Sequence, residues 1–540
     1  EEKSSVDLDM AELTAHTFIT GSTGAGKSNR IYQLLGKLTE SKVRFLVIEP
    51  AKGEYKDVIG RRNDVRTFGT NPLIKDMELL RLNPFRFPKH THILEHLDRL
   101  VEIFNVCWPM YAAMPAILKD SMERAYISCG WDLEKSENKY DGELFPTFKD
   151  VVKQIKEVLI ESDYSDDNKG DYTGSLVTRL RSLTNGINGL VFTTDDIKDE
   201  ELFDKNVIID LSRVGSSETK SLIMGLLVLK LQEYRMEQRS IGANLNDDLK
   251  HITVLEEAHN LLKRTSTEQS SESSNLIGKS VEMLANSIAE MRTYGEGFVI
   301  ADQSPGLLDM SVIRNTNTKI ILRLPDFSDR ELVGKAAGLT DNQIIELAKL
   351  EKGVAAIYQS DWLEPVLCKV DKYEDNTKES VKYNRQPEYE NGHDPNIDNN
   401  VSQTLLDCIM NKELYRKGDR VDIQKIKTMV LNSNLDTKIK RDFVRYIAAD
   451  KDEELESLSA LMYDFLKTGD AIKEADGCND ITEWVHAVAE HLSPSILGYS
   501  NEQIDLVMNL LVYEQSLRNV EYENILGSFV ELYKSKGRVY

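Results

Sequence analysis

The 540-residue sequence predicts an α/β protein: a mostly parallel central sheet in the first two thirds, a helical insertion within it, and an all-α domain after it. Three observations lead there. Up to about residue 370, short β-branched runs alternate with helical stretches, the pattern of a parallel sheet covered by helices. One of those runs passes directly into the glycine-rich octet GSTGAGKS at 21–28. Beyond residue 400, amphipathic segments follow a helical period and strand signals are few.

The strand candidates are residues 17–20, 44–48, 207–211, 252–255, 297–301, 319–324 and 355–358, most of which read as fully buried central strands. Between the second and third, residues 86–195 have helical periodicity around 93–104, 116–129 and 147–160. They read as an all-helical insertion that divides the sheet-bearing core into 1–85 and 196–370. Residues 371–400 are polar, almost without aliphatic side chains, and read as a linker. Segments 437–449, 455–466, 481–492 and 502–517 then build a helical domain over 401–540. A second polar stretch, STEQSSESS at 266–274, reads as a mobile loop.

Composition narrows the function classes. With 41% hydrophobic and 29% charged residues, a folded, water-soluble chain is expected. The longest uncharged apolar run, 222–229, is far short of the roughly 20 residues that cross a bilayer. The acidic first ten residues lack the pattern of a secretory signal. Five cysteines, odd in number and never spaced as CxxC, argue against disulfides and zinc and fit a reducing cytoplasm. A net charge of -23 discourages general contact with nucleic acid, so any DNA must meet a local basic surface such as a pore lining.

The chemistry is concentrated around the octet. The apolar residues HTFIT at 16–20 precede it and a helically spaced segment, 29–38, follows, which is the strand, loop and helix order of a phosphate-binding loop. Chance produces its four fixed positions in about one chain in fifty of this length. Gly21, Gly24 and Gly26 permit the tight turns, and the N–H groups of the loop through Thr23, Ala25 and Asn29 line an anion site at a helix start. Lys27 is placed for the β- and γ-phosphates of ATP, and Ser28 for Mg²⁺.

An ATPase also needs an acidic residue at a neighbouring strand end. HITVL at 251–255 followed by Glu256 and Glu257 supplies one on the magnesium side and one to polarise water, although two carboxylates also suit a helix start. Gln303, after the 297–301 strand, is placed to sense the γ-phosphate or simply to cap the strand. Arg292 is either a partner of a helix dipole or a finger that enters a neighbouring subunit's site. Lys263 and Arg264 are candidate DNA-phosphate contacts, or cations on a solvated helix end.

In order and spacing, ITGSTGAGKS at 19–28, VIEPAKGEY at 47–55, NVIIDLS at 206–212, VLEEAHNLL at 254–262, RTYGEGFVIADQSP at 292–305 and NTNTKIILRL at 315–324 resemble the HerA branch of the HerA/FtsK family. The resemblance covers about residues 6–370 and implies a RecA-like P-loop core, a homo-hexameric ring and a pore for duplex DNA. It further implies Lys27 and Ser28 on nucleotide and Mg²⁺, Glu256 on the magnesium side, Glu257 as base, Gln303 as sensor and Arg292 as the trans-acting finger. Glu49 and Glu54 match an acidic segment of the family and are expected near the site. Asp302 departs from the family's more usual Thr or Ser. The sequence begins almost on top of the loop, and the family's N-terminal β-barrel is not in it. LNPFRFP at 82–88 and CWPMYAAMP at 107–115 are most similar to HerA-like ATPases of bacterial antiphage operons, which implies a nuclease or sirtuin-type effector. The other class of function is a nucleotide-gated scaffold, for which the helical domain, with 17 basic and 24 acidic residues, offers a docking surface.

Overall fold

A computed structural model describes residues 5–108, 110–239, 247–264, 272–374, 395–410, 420–450, 453–475, 478, 481–496, 499–518 and 527. The strands are β1 (Thr17–Thr20), β2 (Arg44–Glu49), β3 (Val65–Gly69), β4 (Glu78–Leu79), β5 (Trp131–Asp132), β6 (Glu137–Asn138), β7 (Asn206–Asp210), β8 (His251–Glu256), β9 (Glu296–Asp302), β10 (Thr318–Ile321), β11 (Val354–Tyr358) and β12 (Val366–Lys369). Ten of them form one sheet in the order β12-β11-β10-β1-β9-β8-β2-β7-β3-β4. Pairing is parallel from β10 to β4, and antiparallel only from β10 to β11 and β11 to β12.

The central strands are apolar along both faces because helices cover both sides, and every residue of β1, β7, β8, β9 and β10 is buried. Parallel pairing puts the C-terminal ends of β1, β8 and β9 on one edge of the sheet, where ligands bind in open α/β sheets. Register sets their heights: Thr20 of β1 lies opposite Asp302 of β9, and Glu256 of β8 opposite Ala301. The helix Lys27–Glu40 returns across the sheet, burying Ile31, Tyr32, Leu34, Leu35 and Leu38 at helical spacing.

All seven strand expectations correspond to strands. The one expected at 319–324 ends at Ile321, and β3, β4, β5, β6 and β12 are additional. The sequence hides β3 (VRTFG) behind a charge and a glycine, and β12 is a largely exposed edge strand without a buried pattern.

The chain divides into two compact units, 1–122 with 155–192 and 196–390, and 123–154 with 193–195 and 391–540. The insertion is therefore not one body. It is also not all-helical, because β5 and β6 pair as a short antiparallel hairpin.

In the second unit, the helices Arg420–Asn432, Thr437–Ala448, Glu454–Phe465, Thr468–Ala475, Ile481–Ile496 and Asn501–Arg518 surround Val430, Phe443, Leu461, Met462, Trp484, Val488 and Leu511. Polar contacts recruit the insertion residues to this core. Thr437 Oγ1 donates to Asp150 at 2.7 Å, and the buried Lys440 ammonium reaches Leu431 O at 2.8 Å and Thr194 Oγ1 at 3.1 Å.

Of the loop expected at 266–274, residues 266–271 lie outside the described residues and 272–274 begin the helix Glu272–Glu290. Of the expected linker, 375–394 lie outside them and 395–400 are helical, opening Pro395–Met410. Among the described residues, no helix is long and apolar enough to cross a membrane.

Candidate nucleotide-hydrolysis site

The glycine-rich loop crosses the C-terminal end of β1 and is pinned from β10 and β11. Ser22 N–H donates to Arg323 O at 2.9 Å, and Gly353 N–H donates to Ala25 O at 3.0 Å. Gly24 and Gly26 have φ of +78° and +112°, a region that other residues enter only with strain. Gly21 is required for a different reason: a Cβ there would lie 2.8 Å from Leu322 Cβ. The helix Lys27–Glu40 then aims its free N–H groups and dipole at the hollow of the loop.

Lys27 connects the loop to the carboxylates. Its Nζ lies 3.0 Å from Glu256 Oε2 and 3.2 Å from Glu257 Oε1. Burial opposes the ammonium charge, but the two carboxylates outweigh it and hold the Lys27 pKa above its ordinary value. Glu256, the last residue of β8, also accepts a 2.5 Å hydrogen bond from Tyr55 OH. Glu257 follows with φ +43° and ψ +52°, a left-handed conformation that turns its side chain back over the sheet edge. Gln303 Nε2 donates to Glu257 Oε1, and Thr23 Oγ1 donates to Gln303 Oε1 at 2.5 Å. Thr23, Lys27, Glu256, Glu257 and Gln303 thus form one connected constellation built from β1, β8 and β9.

Behind it stands a pair that sequence reasoning did not identify. Asp302, fully buried, accepts from the backbone N–H of His259 at 2.9 Å and lies 2.8 Å from His259 Nδ1. The hydrogen bond to Asp302 raises the His259 pKa above the ordinary imidazole value. The motif EEAH placed His259 near the carboxylates; only the β8–β9 register brings Asp302 to it.

Glu49 and Glu54 lie beside the site in a different role. The Glu49 carboxylate accepts the N–H groups of Glu54 at 2.8 Å and Tyr55 at 3.2 Å, which orients Tyr55 toward Glu256. Burial, reinforced by Asp210 and Glu256, pushes the Glu49 pKa up to about 8. Glu54 itself is exposed.

Ser28 is half-buried at the helix start. Its hydroxyl and the Glu256 carboxylate are hard oxygen donors of the kind Mg²⁺ takes. Glu257, His259 and Asp302 also bring ligand atoms within 4.8 Å of one another. The Asp302 oxygens, however, already accept from His259 and from Ser304 N–H at 2.9 Å, so Asp302 and His259 form a hydrogen-bonded pair beside Glu257.

The Asn29 side chain turns from the loop: Nδ2 donates to Asp371 O at 2.9 Å, and Oδ1 accepts from Tyr373 N–H at 2.7 Å. These two bonds fasten residues 371–373 to the start of the helix and leave the Asn29 backbone N–H, the group expected to face phosphate, out of them.

Arg292 sits in the turn Met291–Tyr294, exposed, before β9 begins at Glu296. The seven-residue strand separates it from Gln303 by roughly 20 Å, so it cannot serve its own site. Lys263 and Arg264 are exposed in an extended segment, with Lys263 bridged to Leu308 and Arg264 N–H donating to Leu307 O at 2.7 Å. They are not on a helix end.

Residues 1–231 match the family model described as the central domain of the helicase HerA. The DNA double-strand break repair helicase HerA of Sulfurisphaera tokodaii is 24% identical over 374 residues, 68% of this chain and 67% of the relative. The protein of the same name from Saccharolobus solfataricus is 21% identical over 372 residues, 68% of this chain and 66% of the relative. The chain thus spans about two thirds of the length of these curated relatives. Among solved structures, VirB4 of Thermoanaerobacter pseudethanolicus superposes with a TM-score of 0.48 at 16% identity, over 66% of this chain and 89% of that one.

Proposed function

From the match of residues 1–231 to the central domain of the helicase HerA, and from the similarity to curated HerA helicases, we propose that the chain is an ATP-hydrolysing ring motor of that family that translocates on or unwinds duplex DNA. The observation that carries the proposal is the linked constellation of Thr23, Lys27, Glu256, Glu257 and Gln303 at one sheet edge. ATP phosphates seated in the loop compete with Glu256 and Glu257 for the Lys27 ammonium. Mg²⁺, held by Ser28 and Glu256, would neutralise charge on the phosphates. Glu257 accepts the proton of the attacking water, and Gln303, bridging Thr23 and Glu257, orients that water against the γ-phosphate.

The distance of Arg292 from its own site supports a homo-hexamer in which this arginine completes the neighbour's pocket. Hydrolysis at such an interface shifts two subunits against each other and moves the loops that face the pore. Exposed Lys263 and Arg264, joined by backbone to the segment after Gln303, are suited to follow that motion and grip DNA phosphates. The helical unit, with its own apolar core, is the surface we assign to an effector of nuclease or sirtuin type in antiphage defence.

The test is ATP hydrolysis with and without duplex DNA, together with the mass of the native particle. The motor predicts several-fold stimulation by DNA, lost in Glu257→Ala, and a particle near six chains. Mixing Arg292→Ala subunits into the wild-type assembly should lower activity more than dilution does. Indifference to DNA with stimulation by a partner protein would favour a nucleotide-gated scaffold, and a hydrolytically competent monomer would rule out the shared pocket.

A further inference from the structure

We propose that Asp302, acting through His259, is a positioning residue that holds Glu257 in its hydrolytic orientation and fastens it to Gln303. The inference rests on the ATPase reading and adds to it two residues outside the expected catalytic set.

The geometry is that of a two-sided clamp. Asp302 is the last residue of β9 and fully buried. Its Oδ2 accepts the His259 N–H at 2.9 Å and faces His259 Nδ1 at 2.8 Å, two residues beyond Glu257. Its Oδ1 accepts Ser304 N–H at 2.9 Å, one residue beyond Gln303. One carboxylate therefore ties down the chain on the far side of both functional side chains. No hydrogen bond of the sheet ladder does this, because both segments lie past the strand ends.

Glu257 needs such support. Its φ of +43° is unfavourable for a residue with a Cβ, and the turn Ala258–Asn260 that follows is a single short one. The His259 ring also stands between the two acidic groups, with Nδ1 3.8 Å from Glu257 Oε2. Glu257 Oε1 faces Lys27 and Gln303, while the imidazole packs 3.8 Å from the other oxygen without a hydrogen bond to it. Donating Nδ1–H to Asp302 fixes the ring plane and hence the wall that this oxygen packs against. An uncharged side chain at 302 cannot replace these contacts. Serine has one oxygen for three donors, and asparagine turns an NH₂ toward one of them.

The experiment compares wild type, Asp302→Asn, Asp302→Ser, His259→Ala, His259→Asn and the double variant Asp302→Ser/His259→Ala in the full chain. It measures kcat, the Kd of a fluorescent ATP analogue and thermal unfolding. Displacing a catalytic group by about 1 Å costs roughly 100-fold, so a 10- to 100-fold fall in kcat is expected for Asp302→Ser and His259→Ala, with analogue Kd within about two-fold of wild type. The double variant should be no slower than the slower single variant. His259→Asn, whose amide can still donate to Asp302, should recover much of the rate. The near-isosteric Asp302→Asn tests the clamp should Asp302→Ser not fold.

Unchanged kcat, strictly multiplicative losses, or a loss of kcat matched by equal losses of nucleotide affinity and melting temperature would each overturn the proposal. A wild-type chain that hydrolyses no ATP would sink the motor reading itself. An active wild type with fully active Asp302 variants would sink this inference alone.

Discussion

Replacing Lys27 by alanine removes more than a phosphate ligand. The ammonium is 6% exposed and lies between two carboxylates that are 7% and 14% exposed, at 3.0 and 3.2 Å. Without it Glu256 and Glu257 face each other beside a fully buried Tyr55, with Tyr55 OH and Gln303 Nε2 as the hydrogen bonds that remain to them. Breaking a buried ion pair by deleting one partner costs about 3–5 kcal/mol, and the lower end applies because Glu257 retains some access to water. At roughly 2–4 °C per kcal/mol, the first unit of Lys27→Ala should melt about 6–12 °C below wild type at pH 7. Adding Glu256→Gln to Lys27→Ala should restore more than half of the loss. Calorimetry at pH 7 on the three proteins decides it. A Lys27→Ala melting point within about 2 °C of wild type at pH 7, or a double variant no more stable than the single, would refute the charge balance assigned to the site.

The other predictions use the same geometry. Glu257→Gln should reduce phosphate release by about 10²- to 10⁴-fold while ATP-analogue binding persists, since the base is lost but the loop and Lys27 remain; near wild-type hydrolysis would remove Glu257 from the mechanism. Gly21→Ala places a Cβ 2.8 Å from Leu322 Cβ between fixed backbones, and should destabilise the fold by about 1–3 kcal/mol and weaken nucleotide binding together, read by unfolding and titration. Glu49 carries a pKa of about 8, so the fold holds its proton where the unfolded chain has released it. Its contribution is complete below the unfolded pKa near 4.5 and is lost as pH rises toward 8, on the order of a few kcal/mol. Wild type should therefore lose more melting temperature between pH 5 and pH 8 than Glu49→Gln does, and parallel curves would contradict the assignment.

Much of this was legible in the sequence because the signals are local. The octet at 21–28 declares itself through glycines at fixed spacing, and β2, β7, β8 and β9 through continuous apolar runs that only strands buried on both faces require. The carboxylates Glu256 and Glu257 could be proposed because they directly follow such a run. By contrast, β12 carries exposed Val366 and Leu367 at a sheet edge, where alternation is not enforced, and β4 is two residues long. The division of residues 86–195 between two units depends on hydrogen bonds such as Thr437 to Asp150, whose partners are 287 residues apart.

The sequence by itself determined which groups are available for chemistry: a phosphate cradle, one lysine, two adjacent carboxylates and a glutamine, each announced by its immediate neighbours. Only the tertiary structure decided how they are wired. Register across β1, β9 and β8 joined Thr23 to Gln303 and Gln303 to Glu257, and brought Asp302 to His259. The physical reason is that hydrogen bonds and ion pairs act over about 3–4 Å, while the partners they select are hundreds of residues distant along the chain.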